Sequence, residues 1–344
     1  MGTDLRGTLL YRKTLGCLMA GLIGDAIGTD TEGMEYIRIE RQFGWIDDFE
    51  TDGTDDTIMK DLLAEALIET DGFARLDDWA RVWVRHRDVF VGDKRGKFFV
   101  GVPHVMTKMA DLGVTPRMAA FGTPRSTSSG MCISPVGIVN ACNPEQAARQ
   151  AYNIASLIHM HEAGVVHDGA AAMAAAVAEA MKPDATVDSV VEASLDAVLP
   201  VSGRETLDRM RGMLEVARAT GEFFRFREEV YRRRADFFHP TTDGHSTEII
   251  PESIGLFQLA GGDTEKTIVY AANFGRNTDT IASVAGAIAG ALQGVDAIRQ
   301  DWVDKVRRVA AVDQDELAEH LATCALRRLE RQEQAAQALS EVLA

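Results

Sequence analysis

The sequence predicts an all-α fold, and three observations carry that expectation. Apolar residues recur at helical spacing, as at Ile58, Leu62, Leu63, Ala66 and Leu67 within 57–69. Long alternating strand patterns are missing, aromatic residues make up only 7%, and alanine supplies much of the 46% hydrophobic fraction, a mix that favours packed helices over a β-sandwich. Two segments, 14–28 and 280–294, place small residues four apart, at Gly16/Ala20, Gly24/Gly28, Ala282/Gly286 and Gly286/Gly290. Glycine inside a helix costs roughly 1 kcal/mol relative to alanine, so this many imply flat faces where helix backbones meet.

Taken in order, the elements begin with 14–28. Arg12 and Lys13 ahead of the apolar run 15–23 loosely mimic a signal peptide, but Asp25 interrupts its continuation and no small-residue cleavage site follows. A central core helix is expected instead. The 57–69 helix comes next, then an irregular stretch, 87–130, rich in glycine and proline, which reads as long loops with short helices. Three helices follow at 144–163, 169–181 and 186–199, with Pro144 suited to a first turn and Pro183-Asp184 marking a break. An Arg/Glu-rich amphipathic stretch spans 203–237; its run Arg232-Arg233-Arg234 reads as a solvated face. The second glycine-rich helix, 280–294, and a charged terminal helix, 314–343, complete the chain. At 344 residues two domains are a fair prior, yet no linker, repeat or composition shift divides the chain, so one domain over 1–344 is expected.

Thirty-six basic against 52 acidic residues leave a formal charge of −16. Such a surface repels phosphate backbones and argues against nucleic acid as a partner. No stretch reaches the ~20 apolar residues of a membrane span. Cys17, Cys132, Cys142 and Cys324 are scattered without metal-ligand spacing, which fits a reducing cytoplasm rather than a disulfide framework. Nothing here fixes the oligomeric state.

The chemistry concentrates in two clusters. Gly53-Thr54-Asp55-Asp56-Thr57 opens the 57–69 helix. Its plain reading is an N-cap, since Thr54 or Asp55 can cap and acids favour a helix N-terminus. One cap suffices, however, and consecutive helical residues point about 100° apart at ~3.6 residues per turn, so two aspartates can engage two different cations. Far downstream, Arg276-Asn277-Thr278-Asp279-Thr280 again directly precedes a glycine-rich helix. Thr54, Asp55, Asp56, Asp279 and Thr280 together form an oxygen-only donor set, suited to Mg²⁺, Mn²⁺ or Ca²⁺ rather than zinc. Asp25 needs pairing or capping to sit in an apolar segment. Glu32, in the turn beyond it, is either solvated or a further acid of this set.

These pieces, in this order, resemble the ADP-ribosylglycohydrolase superfamily, which includes dinitrogenase-reductase-activating glycohydrolases and related crystallins. The opening pattern appears as Gly16, Ala20 and Gly24-Asp25-Ala26-Ile27-Gly28 with Glu32. The Thr-Asp-Asp-Thr motif is Thr54-Asp55-Asp56-Thr57. The middle loop and histidine helix are matched by Ser134-Pro135-Val136-Gly137 and His159-Met160-His161, and the closing motif by Asn277-Thr278-Asp279-Thr280 running on to Gly290. The matches cover 14–294.

The resemblance implies a compact single-domain orthogonal helical bundle with a metal-lined cleft holding two Mg²⁺ or Mn²⁺ ions. Thr54, Asp55, Asp56, Asn277, Asp279 and Thr280 become the metal ligands, and Asp55, Asp56 and Glu32 the catalytic acids. Ser128, Ser129, Gly130, Met131, His159 and Arg276 become substrate contacts. The implied reaction is metal-dependent hydrolysis of an N-glycosidic bond to ribose, on an ADP-ribosylated protein or a ribose-containing small molecule.

Two departures qualify this. Asn277 stands where the family has Asp, offering a carbonyl oxygen without charge, which weakens one metal site. The loop 127–134 lacks the family's arginine before its proline, so a simpler nucleoside enters as a substrate. A catalytically impaired nucleotide- or ADP-ribose-binding relative and a crystallin-like structural protein stay open as alternatives. His159 and His161 point to different sides of a helix and cannot both bind one metal. Arg276 is placed equally well on a ligand phosphate or a nearby carboxylate, and Trp45 in the core or against a base.

Overall fold

The Thr8 hydroxyl accepts the Tyr11 N–H and opens the first helix, Leu9–Gly28. The computed structural model describes residues 5–92, 96–160 and 166–343. From Lys13 onward every side chain of this helix is buried, so it is enclosed on all sides rather than amphipathic. Its most extensive contact is with Thr278–Gln293, the second glycine-rich segment. A Cβ placed on Gly286 would sit 2.6 Å from the Ala20 carbonyl oxygen, and Cβ atoms on Gly16, Gly24 and Gly290 would run into the facing backbone. The glycines are therefore required by backbone-to-backbone contact, which offsets their cost in helix propensity. Lys13 is no leader flank: its ammonium is buried and donates to the carbonyls of Ala180 (2.6 Å) and Leu292 (2.8 Å), satisfying the ends of two other helices.

Around this central pair stand Asp55–Glu69, Asp168–Ala180, Ser246–Leu259, Thr264–Ala272 and the long Gln314–Leu343. Nineteen α-helices and no strand occur among the described residues; one isolated bridge, Met34 to Arg276, is the extended pairing recorded there. The all-α expectation holds. A large apolar core surrounds the first helix, and a smaller aromatic cluster gathers Phe223, Phe226, Phe238 and Phe274. Among the described residues no helix is long and apolar enough to cross a membrane. All four cysteines are free thiols.

Several boundaries differ from the pattern. The 203–237 stretch is three helices, Arg204–Thr220, Phe223–Arg232 and Arg234–Phe237. Gly221 at φ +62° ends the first, and the Glu222 carboxylate accepts the N–H groups of Phe224 and Arg225 to start the second. The 144–163 helix stops at Ala155. Among its described residues, the irregular 87–130 stretch contains the short helices Arg87–Val91, Gly101–Ala110 and Pro116–Ala119. Leu76–Arg85, with Trp79 and Trp83 fully buried, and Ser246–Leu259, which carries Pro251 inside it, were not isolated by periodicity.

Candidate functional site

The site is organised from Asp25, fully buried near the end of the first helix. Its carboxylate accepts the Thr54 N–H on both oxygens (2.9 Å each), the Thr54 hydroxyl (2.8 Å), the Thr57 N–H (3.0 Å) and the Thr57 hydroxyl (2.6 Å). The apolar setting pushes its pKa up, and these donors pull the other way. Asp25 is thus the acceptor that holds the N-terminus of Asp55–Glu69. Gly53 makes room for it: at φ +85°, a Cβ there would strike the Asp25 carboxylate.

Thr54 is the N-cap of that helix, accepting weakly from the Asp56 N–H (3.4 Å) while its hydroxyl also reaches Asp279 Oδ2 (3.3 Å). Asp55 and Asp56 fill the first turn and face different ways. Asp55, 9% exposed, accepts the Phe99 N–H at 3.4 Å; Asp56, 2% exposed, accepts the Thr280 hydroxyl at 3.1 Å. Asp279 and Thr280 come from the first turn of Thr278–Gln293, which Asn277 precedes without capping it by its side chain. The close approach of the two glycine-rich helices therefore brings the downstream cluster against the upstream one. Gly28 is the contact point, since a Cβ there would overlap the Asp279 backbone.

The electrostatics are one-sided. Burial, reinforced by Asp25, raises Asp55 to about 7. Asp56 lies well above the usual carboxylate range through burial and the charges of Asp25, Asp279 and Asp55. Asp279 lies there too, through burial and the charges of Glu32 and Asp25. Three buried oxygens on this floor, Asp56 Oδ1, Asp279 Oδ1 and Asn277 Oδ1, have no hydrogen-bond partner. An unpaired buried polar atom is costly, and all three are hard acceptors. Among the described residues no three His, Cys, Asp or Glu side chains are grouped as ligands for one ion. The acids are spread around the floor, with Thr54, Thr280 and Asn277 between them as the remaining oxygen donors.

Above the floor lies a cleft of about 380 Å³, walled by Thr29, Glu32, Lys97, Phe99, Ser128 and Met131. Glu32 stands exposed at its rim, raised by partial burial and by the charges of Asp243 and Asp25. Within the middle loop, Ser128 and Met131 line the cleft, while Ser129 and Gly130 stand behind them. His159 is fully buried and works one layer back: its Nε2 lies 3.1 Å from the Ser126 hydroxyl, which lies 2.8 Å from that of Ser128. His161 lies outside the described residues.

Arg276 does not line this cleft. Its guanidinium pairs with the fully buried Glu248 (Nε–Oε1 2.7 Å, Nη2–Oε2 3.1 Å), so of its two readings the structure takes the carboxylate. Its backbone, at φ +69°, exchanges hydrogen bonds with the turn after Glu32: Arg276 N–H to the Met34 carbonyl (2.7 Å) and Gly33 N–H to the Arg276 carbonyl (2.8 Å). Trp45 is neither in the core nor in the cleft; it lies 44% exposed against Phe223 and Phe224. Lys97 and Phe99 also line the cleft, from the irregular 87–130 stretch where no motif marks them in the sequence. Its glycines were the available signal. Lys97 donates to the Gly53 carbonyl at 2.7 Å, tying that loop to the aspartate turn.

Residues 6–336 match the family model described as ADP-ribosylglycohydrolase. The uncharacterized protein YegU of Escherichia coli (strain K12) is 27% identical over 310 residues, spanning 83% of this chain and 89% of that protein. The ADP-ribosylhydrolase ARH3 of Homo sapiens is 23% identical over 325 residues, spanning 83% of this chain and 87% of its own length. A solved structure described as an ADP-ribosylglycohydrolase-related protein complex matches with a TM-score of 0.64, covering 92% of this chain and 98% of its own at 21% identity. That last likeness is one of fold.

Proposed function

The chain belongs to the ADP-ribosylglycohydrolase family, and from that premise we propose that it hydrolyses a glycosidic bond at the anomeric carbon of a ribose, with Mg²⁺ or Mn²⁺ held on the cleft floor. The observation that carries the reading is the set of partnerless buried oxygens of Asp56, Asp279 and Asn277 beside further carboxylates. Buried charges of one sign persist when protons or a cation neutralise them. An oxygen-only donor set of Thr54, Asp55, Asp56, Asn277, Asp279 and Thr280 fits a hard divalent ion. When bound, such an ion supplies Lewis-acid charge that orients ribose hydroxyls and lowers the pKa of water.

The remaining roles belong to the chain's own side chains. Asp55 is the more accessible of the paired aspartates and is steadied by the Phe99 N–H, which suits it to take the proton of the attacking water. Asp56 is spent on Thr280 and the floor. Glu32, opposite at the rim, is placed to hold a ribose hydroxyl or pass a proton to the leaving group. Phe99 and Met131 shield the wall from water, and Ser128 offers a hydroxyl held by Ser126. The substrate class is an ADP-ribosylated protein or small molecule, as the names of the relatives suggest, and the −16 surface disfavours a nucleic-acid polymer.

The test is release of ADP-ribose from an ADP-ribosylated protein at saturating Mg²⁺ or Mn²⁺, in the wild type, Asp55→Ala and Asp279→Ala. Turnover in the wild type that falls by orders of magnitude in both variants supports the reading; equal turnover in all three refutes it. Asn277 favours a second reading, ligand binding without turnover, because its amide brings no negative charge to the floor. Tight ADP-ribose binding with no release from any substrate tried would select that reading.

A further inference from the structure

Asn277 brings an uncharged amide to the cleft floor, and its Oδ1 is buried without a hydrogen-bond partner. The side chain is only 9% exposed and faces the segment 239–244, which leads into the helix Ser246–Leu259. A Cβ on Gly244 would lie 3.9 Å from Asn277 Nδ2, and Gly244 itself lines the cleft. The residue before it is Asp243, which is partly buried. A Cβ on Gly33, the residue after Glu32, would lie 3.7 Å from Asp243 Oδ2. Asp243 thus stands between the Glu32 turn and the Asn277 end of the floor. The segment is held at both ends. His239 donates its N–H to the buried Glu248 (2.5 Å) and stacks its ring on His245 at 4.2 Å, while the Gly244 carbonyl accepts the Thr127 N–H at 2.8 Å.

Two carboxylates meet here without partners. Neither Glu32 nor Asp243 makes a side-chain hydrogen bond or an ion pair among the described residues. The neighbouring arginines are already spent: Arg276 on Glu248, Arg234 on Glu35 (3.3 Å) and Arg209 on Glu205 (3.0 Å). Asp243 is therefore a surplus negative charge rather than a counter-ion for that side of the molecule. Burial and, next, the Asp243 charge push Glu32 up; burial and, next, the Glu32 charge push Asp279 up. Asp243, Glu32 and Asp279 form one line of like charge running from the rim to the floor. Partly buried acids that face one another are unfavourable until a proton or a cation lies between them. The donors available at this end, two carboxylates and an amide carbonyl, are all hard oxygens.

Resting on the metal-dependent reading above, we propose that Asp243 supplies negative charge that Asn277 does not, and that it holds a divalent cation together with Glu32 and the Asn277 amide oxygen. Charge missing from the residue ahead of Thr278–Gln293 is thereby returned, in part, from the loop ahead of Ser246–Leu259.

The experiment is calorimetric titration of the metal-stripped full chain with Mn²⁺ and Mg²⁺, in the wild type, Asp243→Asn, Asn277→Asp and the variant carrying both substitutions. Asp243→Asn is expected to weaken binding by about 10–100-fold. Adding Asn277→Asp to it is expected to restore the affinity to near the wild-type value, since the cleft then carries the same number of carboxylates. The metal-free Asp243→Asn protein is expected to melt no lower than the wild type, because the charge it loses is one that Glu32 repels. Equal affinity in the wild type and Asp243→Asn, with metal bound by both, overturns the proposal and leaves the floor as a metal site. A loss that Asn277→Asp does not recover, or one that comes with a lower metal-free melting temperature, makes Asp243 part of the frame around Arg276 and overturns it too. No binding by any of the four proteins removes the metal reading itself, and the proposal with it.

Discussion

Asp25→Ala separates a frame residue from a metal ligand. Removing the carboxylate leaves the Thr54 and Thr57 N–H groups without acceptors inside the protein, and the Thr57 hydroxyl loses its own, while the Thr54 hydroxyl keeps Asp279 Oδ2 at 3.3 Å. Each stranded buried donor costs about 1–3 kcal/mol, so the two amides alone cost about 4 kcal/mol. Loss of one negative charge among Asp55, Asp56 and Asp279 works the other way, because Asp25 repels all three; this gain keeps the net near the amide figure rather than above it. For a chain of this length about 4 kcal/mol lowers Tm by about 6 °C. Asp25→Asn keeps an acceptor for the Thr57 N–H, and the Thr54 hydroxyl can turn to accept from the new amide, so its fall is about a third as large. Differential scanning calorimetry of both variants reads these values, and metal titration follows on the folded proteins. An Asp25→Ala variant melting with the wild type would refute the frame argument. An Asp25→Asn variant that melts normally but binds no metal would make Asp25 a ligand instead.

Three further outcomes follow from the same geometry. Glu248→Gln leaves the half-buried Arg276 guanidinium without its carboxylate; a cost of about 3 kcal/mol is expected, read as a lower chemical-denaturation midpoint together with weaker metal binding, because Arg276 links the Glu32 turn to Asn277. Burial depresses His245 to about 4, so it is neutral in the folded protein over a range where the unfolded chain, with an ordinary pKa near ~6.5, takes up a proton. Its contribution to stability is therefore complete above pH 6.5 and declines between 6.5 and 4. His245→Asn, which keeps a capping acceptor for the Thr247 N–H, should make that decline shallower in pH-dependent melts, and an identical profile would argue against it. Gly286→Ala gains up to ~1 kcal/mol in helix propensity but places a methyl 2.6 Å from the Ala20 carbonyl oxygen; a net loss of about 1–3 kcal/mol is expected, and a stabilised variant would show that the two helices can part.

The features legible in the sequence were those written in contiguous residues. Small residues four apart announced the central helix pair, and Thr54-Asp55-Asp56-Thr57 and Asn277-Thr278-Asp279-Thr280 announced two helix starts rich in oxygen donors. Their meeting was not written locally: it depends on backbone contact at Gly28 between segments some 250 residues apart. The same distance in sequence hid the Arg276–Glu248 pair and left Arg276 balanced between phosphate and carboxylate. Ser246–Leu259 escaped periodicity because Pro251 and the buried Glu248 and Glu252 read as loop chemistry, although the helix is enclosed on nearly every side. The single amphipathic stretch 203–237 hid its breaks because Gly221 turns the chain while the apolar spacing resumes at once in Phe223 and Phe226. Lys97 and Phe99 reach the cleft from a segment whose only signal was irregularity.

The central claim is that the cleft floor is a divalent-metal site limited by Asn277. Calorimetric titration of metal-stripped protein with Mg²⁺ and Mn²⁺, in the wild type, Asn277→Asp and Asp279→Ala, tests it most directly. The account predicts saturable binding in the wild type, tighter binding or an additional site in Asn277→Asp, and no binding in Asp279→Ala. Absence of binding in both the wild type and Asn277→Asp, in proteins that melt cooperatively, would contradict it.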